Sequence, residues 1–244
     1  MNKKLELKNV TLVAVSSIKI EETIEALKKS MIGIDYFKVI FISHERPSSL
    51  PDSIMFEQCQ RVKSINEYNQ FILFELCKYI DSDFALVVQY DGYVLRPDKW
   101  NDIFLEYDYI GAPWRKENYF SNDGTNVRVG NGGFSLRSKR LLESFNTLSI
   151  SFVGKNISDY HEDAVICVFC KKLLEDYGVK FAPVSVASKF SCEEKFRDSE
   201  LEPFGFHEDK HTSKDKLKNL VKTFLNLLGV NQLRYSNIKI VSKK

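Results

Sequence analysis

Four short segments of the chain carry side chains that could do chemistry: Asp91, Asn131-Gly132-Gly133, His161-Glu162-Asp163 and Gly205-Phe206-His207. Asp91 is the most informative, because it follows an apolar run that is typical of a buried central strand. In open α/β sheets ligands bind beyond the strand ends, and a carboxylate there suits a metal ion or a sugar. The Asp-Gly pair fits a hairpin turn equally well.

The elements that must position these side chains alternate between strand and helix. Val10–Val15 and Tyr36–Ser43 have the composition of strands, and a third strand ends at Asp91. Helical spacing of apolar residues covers Glu21–Ser30 and Glu67–Ile80. This order predicts an α/β fold with a mostly parallel central sheet and flanking helices.

The second half of the chain is less regular. A short strand enters a Gly/Pro loop at Trp114, and the polar stretch from Arg115 to Arg128 is predicted to be a loop. Helices are predicted from Lys139 and after Asp163 to about Tyr177, whereas the chain from Phe181 to His207 is predicted to be irregular.

The composition excludes some classes of protein. A length of 244 residues fits one large domain or two small ones, and 43% hydrophobic with 28% charged residues is ordinary for a globular protein. A net charge of +2 gives no argument for nucleic-acid binding. Of the five cysteines, Cys167 and Cys170 lie in an apolar run, so they are expected to be buried in a helix. No signal peptide or membrane span is recognised, and a cytoplasmic location is expected.

The amino-acid composition changes near residue 211, which indicates a domain boundary. Residues 1–210 form the predicted main domain, whereas 211–244 combine lysines and leucines in a basic amphipathic helix and tail. This helix either docks on the domain with a solvated lysine face, which we favour, or makes peripheral contact with an anionic membrane.

Three runs carry a resemblance to a known group of proteins: Gln89–Val94, Tyr107–Trp114 and Gly130–Ser138. They closely resemble a bacterial family of glycosyltransferase-like proteins found among surface-polysaccharide genes. The segment order is also similar to nucleotide-sugar-dependent glycosyltransferases of the GT-A architecture, a single Rossmann-type domain. More distantly it is similar to fringe-type β-1,3-glycosyltransferases. The close resemblance covers roughly residues 60 to 210.

The resemblance implies a site for a metal and a diphosphate. Asp91 and His207 occupy the matching positions for a divalent cation, Mn²⁺ or Mg²⁺, which would neutralise the departing diphosphate. GT-A proteins usually have Asp-x-Asp here, but this chain has Gln89 in the first position. Ser16 and Ser17 follow the first strand and are expected to face the nucleotide.

The same resemblance implies a catalytic base. An inverting transferase needs a carboxylate that takes the proton of the acceptor hydroxyl, and Asp163 is the expected base with Glu162 second. The alternative is that both carboxylates only stabilise a helix N-terminus.

A sugar site is expected around Asn131, Gly132, Gly133 and Trp114. Glycines let the backbone approach a sugar, the amide can hydrogen-bond to hydroxyl groups, and the indole offers a stacking face. The alternative is a tight turn beside a core tryptophan.

Together these features predict a hexosyltransferase-type enzyme that moves a sugar from a nucleotide-sugar donor to a glycan or lipid-linked glycan acceptor. The resemblance implies that the transfer inverts the anomeric configuration. A non-catalytic nucleotide- or glycan-binding protein of the same fold is the alternative. A nucleotidyltransferase ranks lower, because Val15–Lys19 lacks a glycine-rich phosphate loop.

Overall fold

The computed structural model describes residues 4–114, 119–120, 126–153, 161–193, 202–207 and 239–241. The predicted loop 115–128 and the predicted tail 211–244 fall largely outside these residues. The described helices are α1 (Ile20–Ser30), α2 (Ile65–Gln70), α3 (Lys139–Thr147), α4 (Glu162–Ala164), α5 (Lys171–Asp176) and α6 (Val184–Phe190).

Strands make up four sheets in the described part of the chain. The strands are β1 (Leu5–Val15), β2 (Ile34–Ser43), β3 (Met55–Gln58), β4 (Phe84–Val88), β5 (Gly92–Val94), β6 (Tyr109–Ile110), β7 (Tyr119–Phe120), β8 (Asn126–Val127), β9 (Phe134–Ser138), β10 (Ser151–Val153), β11 (Ser191–Cys192), β12 (Gly205–His207) and β13 (Lys239–Val241).

A six-stranded sheet in the order β3-β2-β1-β4-β9-β6 forms the centre of the fold. The first four strands in this order are parallel, and β9 is antiparallel to both of its neighbours. Strand β1 lies in the middle, where Val10–Val15 are buried on both faces. A continuous apolar run is therefore required there, and the predicted mostly parallel α/β sheet is confirmed.

The direction of β9 brings two distant segments to one edge. Val88, the last residue of β4, pairs with Phe134, the first residue of β9. Since β4 ends where the antiparallel β9 begins, Asn131–Gly133 must lie at the carboxyl edge of the parallel strands, beside Gln89–Asp91.

The turn after β4 does not make a hairpin. The N–H of Gly92 donates to the carbonyl of Gln89 over 3.0 Å, but β5 then leaves the central sheet and pairs with β12. In that pairing His207 lies opposite Gly92. The break at Asp91 therefore carries the chain from the large sheet into a small one, β11-β12-β5.

Two helical segments contain irregular turns. The helix predicted for Glu67–Ile80 is observed as α2, followed by a π-helical turn over Phe71–Glu75 and a 3₁₀ turn over Leu76–Tyr79. The helix after α4 continues through a π-helical turn, Val165–Phe169, which buries Cys167 as expected. π-helical turns are uncommon and occur often near functional sites.

One predicted irregular region contains a helix. Residues 181–207 were expected to lack regular structure, but Val184–Phe190 form α6 and bury Phe190 completely. Valine and serine are weak helix formers, so packing against the core determines this helix. None of the helices in the described residues is long and apolar enough to span a membrane.

Candidate active site at the carboxyl edge of the sheet

An acidic and a basic side chain meet where the two sheets join. Oδ1 of Asp91 lies 3.2 Å from Nε2 of His207, and their side chains are only 8% and 18% exposed. Burial opposes the charge on Asp91, but the adjacent His207 outweighs it and lowers the pKa of the carboxyl group. Burial likewise opposes the charge on His207, whose pKa is nevertheless raised, chiefly by Asp91. The two residues favour each other's charged forms.

The glycine-rich loop lies directly against this pair. Asn131 has a left-handed backbone, with φ of 65°, and its Oδ1 accepts a hydrogen bond from the N–H of Gly133 over 3.1 Å. A Cβ on Gly133 would come closer than 3.0 Å to the ring of His207. Gly133 is thus required by the close approach of the imidazole.

The other side of this loop contacts the acidic helix start. The N–H of Gly132 donates to Oδ2 of Asp163 over 3.2 Å, while Oδ1 of the same carboxylate accepts from the N–H of Ala164 over 2.7 Å. Asp163 is half-buried. Both of its oxygens are therefore oriented by backbone groups while part of the side chain remains accessible to solvent.

Glu162 has a different environment from Asp163. Its Oε1 lies 2.9 Å from Nη2 of Arg137, and the two side chains are 4% and 1% exposed. Burial raises the pKa of Glu162 in spite of the opposing Arg137. Burial opposes the charge of Arg137, but Glu162 outweighs it and raises the pKa of the guanidinium. Because a guanidinium does not lose its proton in proteins, Glu162 faces a permanent positive charge.

Buried polar atoms without a hydrogen-bond partner concentrate in this region. Among the described residues, such atoms include Nδ1 of His207 and Nδ2 of Asn131, which border the loop, and Nη1 of Arg137 and Oε2 of Glu162, which lie in the buried pair behind it; Oδ1 of Asp91 has its ion pair with His207 but no hydrogen bond. Buried polar groups are nearly always satisfied, and exceptions require a reason. A site built to receive a polar ligand supplies one.

The remaining predicted site residues are engaged in local contacts. Ser17 is buried and its Oγ accepts from the N–H of Val62 over 2.9 Å, while Ser16 bonds to the carbonyl of Ile18. Trp114 is 7% exposed and packs in an apolar cluster. The nucleotide and sugar-stacking roles expected for these three residues stay predictions.

Two features of this edge were not found from the sequence. Lys19 has a left-handed backbone with φ of 49°, and its Nζ lies 3.5 Å from the centroid of the Tyr90 ring, next to Asp91. The pairing of Arg137 with Glu162 was also missed. The sequence gives no signal for the left-handed backbone of Lys19, and for Arg137 the only signal is a charged residue within the strand Phe134–Ser138.

Gly130 offers a test of the packing that supports the loop. A Cβ there would come closer than 3.0 Å to the six-membered ring of Trp114. We expect Gly130→Ala to destabilise the protein by about 1–3 kcal/mol through overpacking, as measured by urea denaturation. Trp114→Phe removes the overlapping part of the ring, so the double variant should lose less stability than the sum of the two single variants. Strict additivity would contradict this contact.

Comparison with solved structures defines the class of fold. The chain superposes on the galactosyltransferase LgtC, solved in complex with donor and acceptor sugar analogs, with a TM-score of 0.50 and 12% identity over 90% of this chain and 95% of that one. A glycosyltransferase involved in glycosylation of the major capsid of PBCV-1 gives 0.49 and 11% over 88% and 98%. Mannosyltransferase PcManGT from Pyrobaculum calidifontis, in complex with GDP-Man and Mn²⁺, gives 0.46 and 9% over 95% and 66%. The predicted GT-A-like fold is confirmed.

The sequence itself identifies the family. Residues 52–207 match the family described as "Protein of unknown function (DUF5672)", so the chain belongs to that family. No curated protein matches the sequence. The matched range begins before β4 and ends at His207, and it therefore includes Asp91, Gly132, Asp163 and His207.

Proposed function

We propose that the protein is a glycosyltransferase that moves a sugar from a nucleotide-sugar donor to a hydroxyl group of a glycan acceptor. One observation carries the proposal: the loop Asn131–Gly133 contacts His207, which pairs with Asp91, on one side and Asp163 on the other. Ligands of open α/β sheets bind at this edge. In this proposal the diphosphate binds beside the Asp91–His207 pair, and the carboxylate base Asp163 acts from the other side of the glycine-rich loop.

Asp163 is the proposed base. The acceptor oxygen attacks the anomeric carbon as the bond from that carbon to the diphosphate breaks, and Asp163 takes the acceptor's proton. The hydrogen bonds from Gly132 and Ala164 fix the carboxylate orientation while leaving lone pairs for that proton. Attack from the side opposite the leaving diphosphate gives inversion, which we include in the proposal.

A divalent cation fits between Asp91 and His207 if it displaces the proton from Nε2 of His207, because only a neutral imidazole binds a metal ion. Carboxylate oxygens suit Mn²⁺ and Mg²⁺, a neutral imidazole suits a transition-metal ion such as Mn²⁺ better than Mg²⁺, and two neighbouring ligands of one ion are separated by roughly 3 Å. The 3.2 Å between Oδ1 of Asp91 and Nε2 of His207 is compatible with that spacing. Among the described residues no cluster of three or more ligating side chains occurs, so phosphate and water oxygens would complete the shell. When bound, the cation would offset the negative charge of the leaving diphosphate.

Binding roles for the other residues follow from their places in the fold. Asn131, Gly132 and Gly133 would contact the sugar, and Nδ2 of Asn131 is a buried donor without a partner among the described residues. Ser16 and Ser17 lie just beyond β1, and we assign them to the nucleotide side. Trp114 would support the sugar site from beneath Gly130.

We extend the proposal to a cellular role on the basis of the resemblance described above. The protein would act in bacterial surface-polysaccharide synthesis in the cytoplasm, at the inner face of the membrane, on a glycan or lipid-linked glycan. Residues 1–210 would form the catalytic domain with the basic tail docked on it, and peripheral contact of this tail with anionic lipid is the alternative.

A non-catalytic nucleotide- or glycan-binding protein is the second candidate. It is favoured by Gln89, whose Nε2 donates to the hydroxyl of Tyr68 over 2.9 Å. This side chain supplies no second carboxylate beside Asp91. Donor turnover separates the two candidates, because both would bind the nucleotide.

Metal-dependent nucleotide binding tests the role of Asp91. Thermal-shift measurements with UDP and GDP should show stabilisation that requires Mn²⁺ or Mg²⁺ for at least one nucleotide. Asp91→Asn should weaken that binding about 10- to 100-fold, because a contact to a charged group contributes roughly 1.5–3 kcal/mol. The matched control is Asp98→Asn, which changes an exposed carboxylate. Equal metal-dependent shifts for the wild type and Asp91→Asn would exclude the site.

A further inference from the structure

A buried charged pair lies directly behind the proposed base. Arg137 and Glu162 are almost inaccessible to solvent, so neither can contact an acceptor as placed. The N–H of Glu162 is held by Oδ1 of Asn69 over 3.2 Å, which ties the start of α4 to α2. The pair thus connects three elements of the fold at one point.

The guanidinium of Arg137 also reaches the glycine-rich loop. Its Nη2 donates to the carbonyl of Gly132 over 3.4 Å, and its Nε donates to Oγ of Ser135 over 3.0 Å. Ser135 Oγ in turn donates to the same carbonyl over 3.2 Å. The Gly132 carbonyl therefore accepts two hydrogen bonds, one from Arg137 and one from Ser135, and the Ser135 hydroxyl is itself held by Arg137.

Gly132 is hydrogen-bonded both to Arg137 and to Asp163. Its carbonyl faces Arg137, while its N–H donates to Oδ2 of Asp163. A Cβ on Gly132 would come closer than 3.0 Å to the carboxylate of Glu162. One residue is thus clamped between the charged pair and the proposed base.

We infer that Arg137 and Glu162 act as a positioning pair that holds Gly132 so that its N–H orients the carboxylate of Asp163. The effect of this pair on catalysis rests on the proposed function, in which Asp163 is the base. Glu162 was expected from the sequence as a second choice for the base; the inference instead gives it a role that needs no contact with the acceptor. Groups that orient a reactive ligand typically affect activity by about 10- to 100-fold in metal sites, and we expect a similar effect here.

The decisive variant removes both charges at once. Arg137→Met alone leaves Glu162 unpaired and can prevent folding, whereas Arg137→Met/Glu162→Met replaces the pair with apolar side chains, which proteins often tolerate. The double variant should fold and bind nucleotide as the wild type does. Its kcat for transfer should fall about 10- to 100-fold with KM for the donor unchanged.

Hydrogen exchange at the Gly132 amide gives a readout that needs no activity. The double variant should lose about tenfold or more in protection at this amide. Asp163→Ala should do the same, because it removes the carboxylate that accepts the hydrogen bond from Gly132. The matched control is Thr11→Val/Ser82→Ala, which removes a buried hydrogen-bonded pair, 2.6 Å apart, at the opposite edge of the sheet. This control should change neither the protection of Gly132 nor kcat.

The outcomes separate the inference from the proposed function. Unchanged protection of Gly132 in the folded double variant would overturn the positioning role, whether or not any donor is turned over. Reduced protection with transfer within twofold of wild type would also overturn it. If the wild type transfers no sugar but Gly132 loses protection in the double variant, the proposed function fails while the structural coupling stands.

Discussion

Asp163→Asn should abolish sugar transfer and leave nucleotide binding intact. Asparagine keeps one oxygen that can accept from the N–H of Gly132, so the loop should keep its position, whereas the hydrogen bond from the N–H of Ala164 is lost because an amide NH₂ group cannot accept it. It cannot take a proton from the acceptor hydroxyl, and loss of a general base typically costs about 10²- to 10⁴-fold in rate. Steady-state release of nucleoside diphosphate in the presence of acceptor measures the effect.

Two comparisons make that result specific. Asp176→Asn changes an exposed carboxylate in α5 that pairs with Lys172, and it should leave the rate within about twofold. Titration calorimetry with the nucleotide should give the same Kd for Asp163→Asn and the wild type. Transfer by Asp163→Asn at the wild-type rate would rule out this carboxylate as the base.

Arg137→Met should be among the most destabilising single substitutions in the chain. It leaves the carboxylate of Glu162, which is 4% exposed, without its positive partner at 2.9 Å. Breaking a buried pair in this way costs about 3–5 kcal/mol, a large fraction of the roughly 5–15 kcal/mol that stabilises most domains. Urea denaturation should show the loss as a lower midpoint.

The second substitution should restore most of that stability. Adding Glu162→Met removes the uncompensated charge, so the double variant should recover to near wild-type stability. Lys28→Met serves as the control, because Lys28 is 48% exposed and its 2.6 Å ion pair with Glu25 should contribute less than about 1 kcal/mol. A double variant as unstable as Arg137→Met would show that packing, and not the unpaired charge, causes the loss.

The sequence was sufficient to predict the parallel strands β1, β2 and β4 because their signals are local, whereas β3 and β9 were not predicted. Alternating strands and helices before Asp91 require parallel strands joined by crossovers, and the buried run of β1 is continuous, as a two-sided strand must be. Helix α6 was missed because its formation depends on tertiary packing and has no local signal. Val184 and Ser185 favour other conformations locally, and only burial of residues such as Phe190 explains the helix.

Contacts within the site depend on pairing that no local pattern encodes. His207 lies beside Asp91 because β12 pairs with β5 in a register that sets His207 opposite Gly92. The motif order suggested that the two residues belong together, but three-residue strands give too little pattern to predict their register. The different environments of Glu162 and Asp163 were equally hidden, because Arg137 comes from β9, far away in the sequence.

Acceptor-dependent release of nucleoside diphosphate is the most direct test of the proposed glycosyltransferase activity. The wild type, Asp91→Asn and Asp163→Asn would be incubated with a panel of UDP- and GDP-sugars, Mn²⁺ and glycan acceptors, with products identified by mass spectrometry. We predict transfer from at least one donor by the wild type, weaker donor use by Asp91→Asn, and binding without transfer by Asp163→Asn. A donor that binds the wild type at this edge but is never turned over, with binding unchanged in Asp163→Asn, would contradict catalysis and support the non-catalytic binding protein.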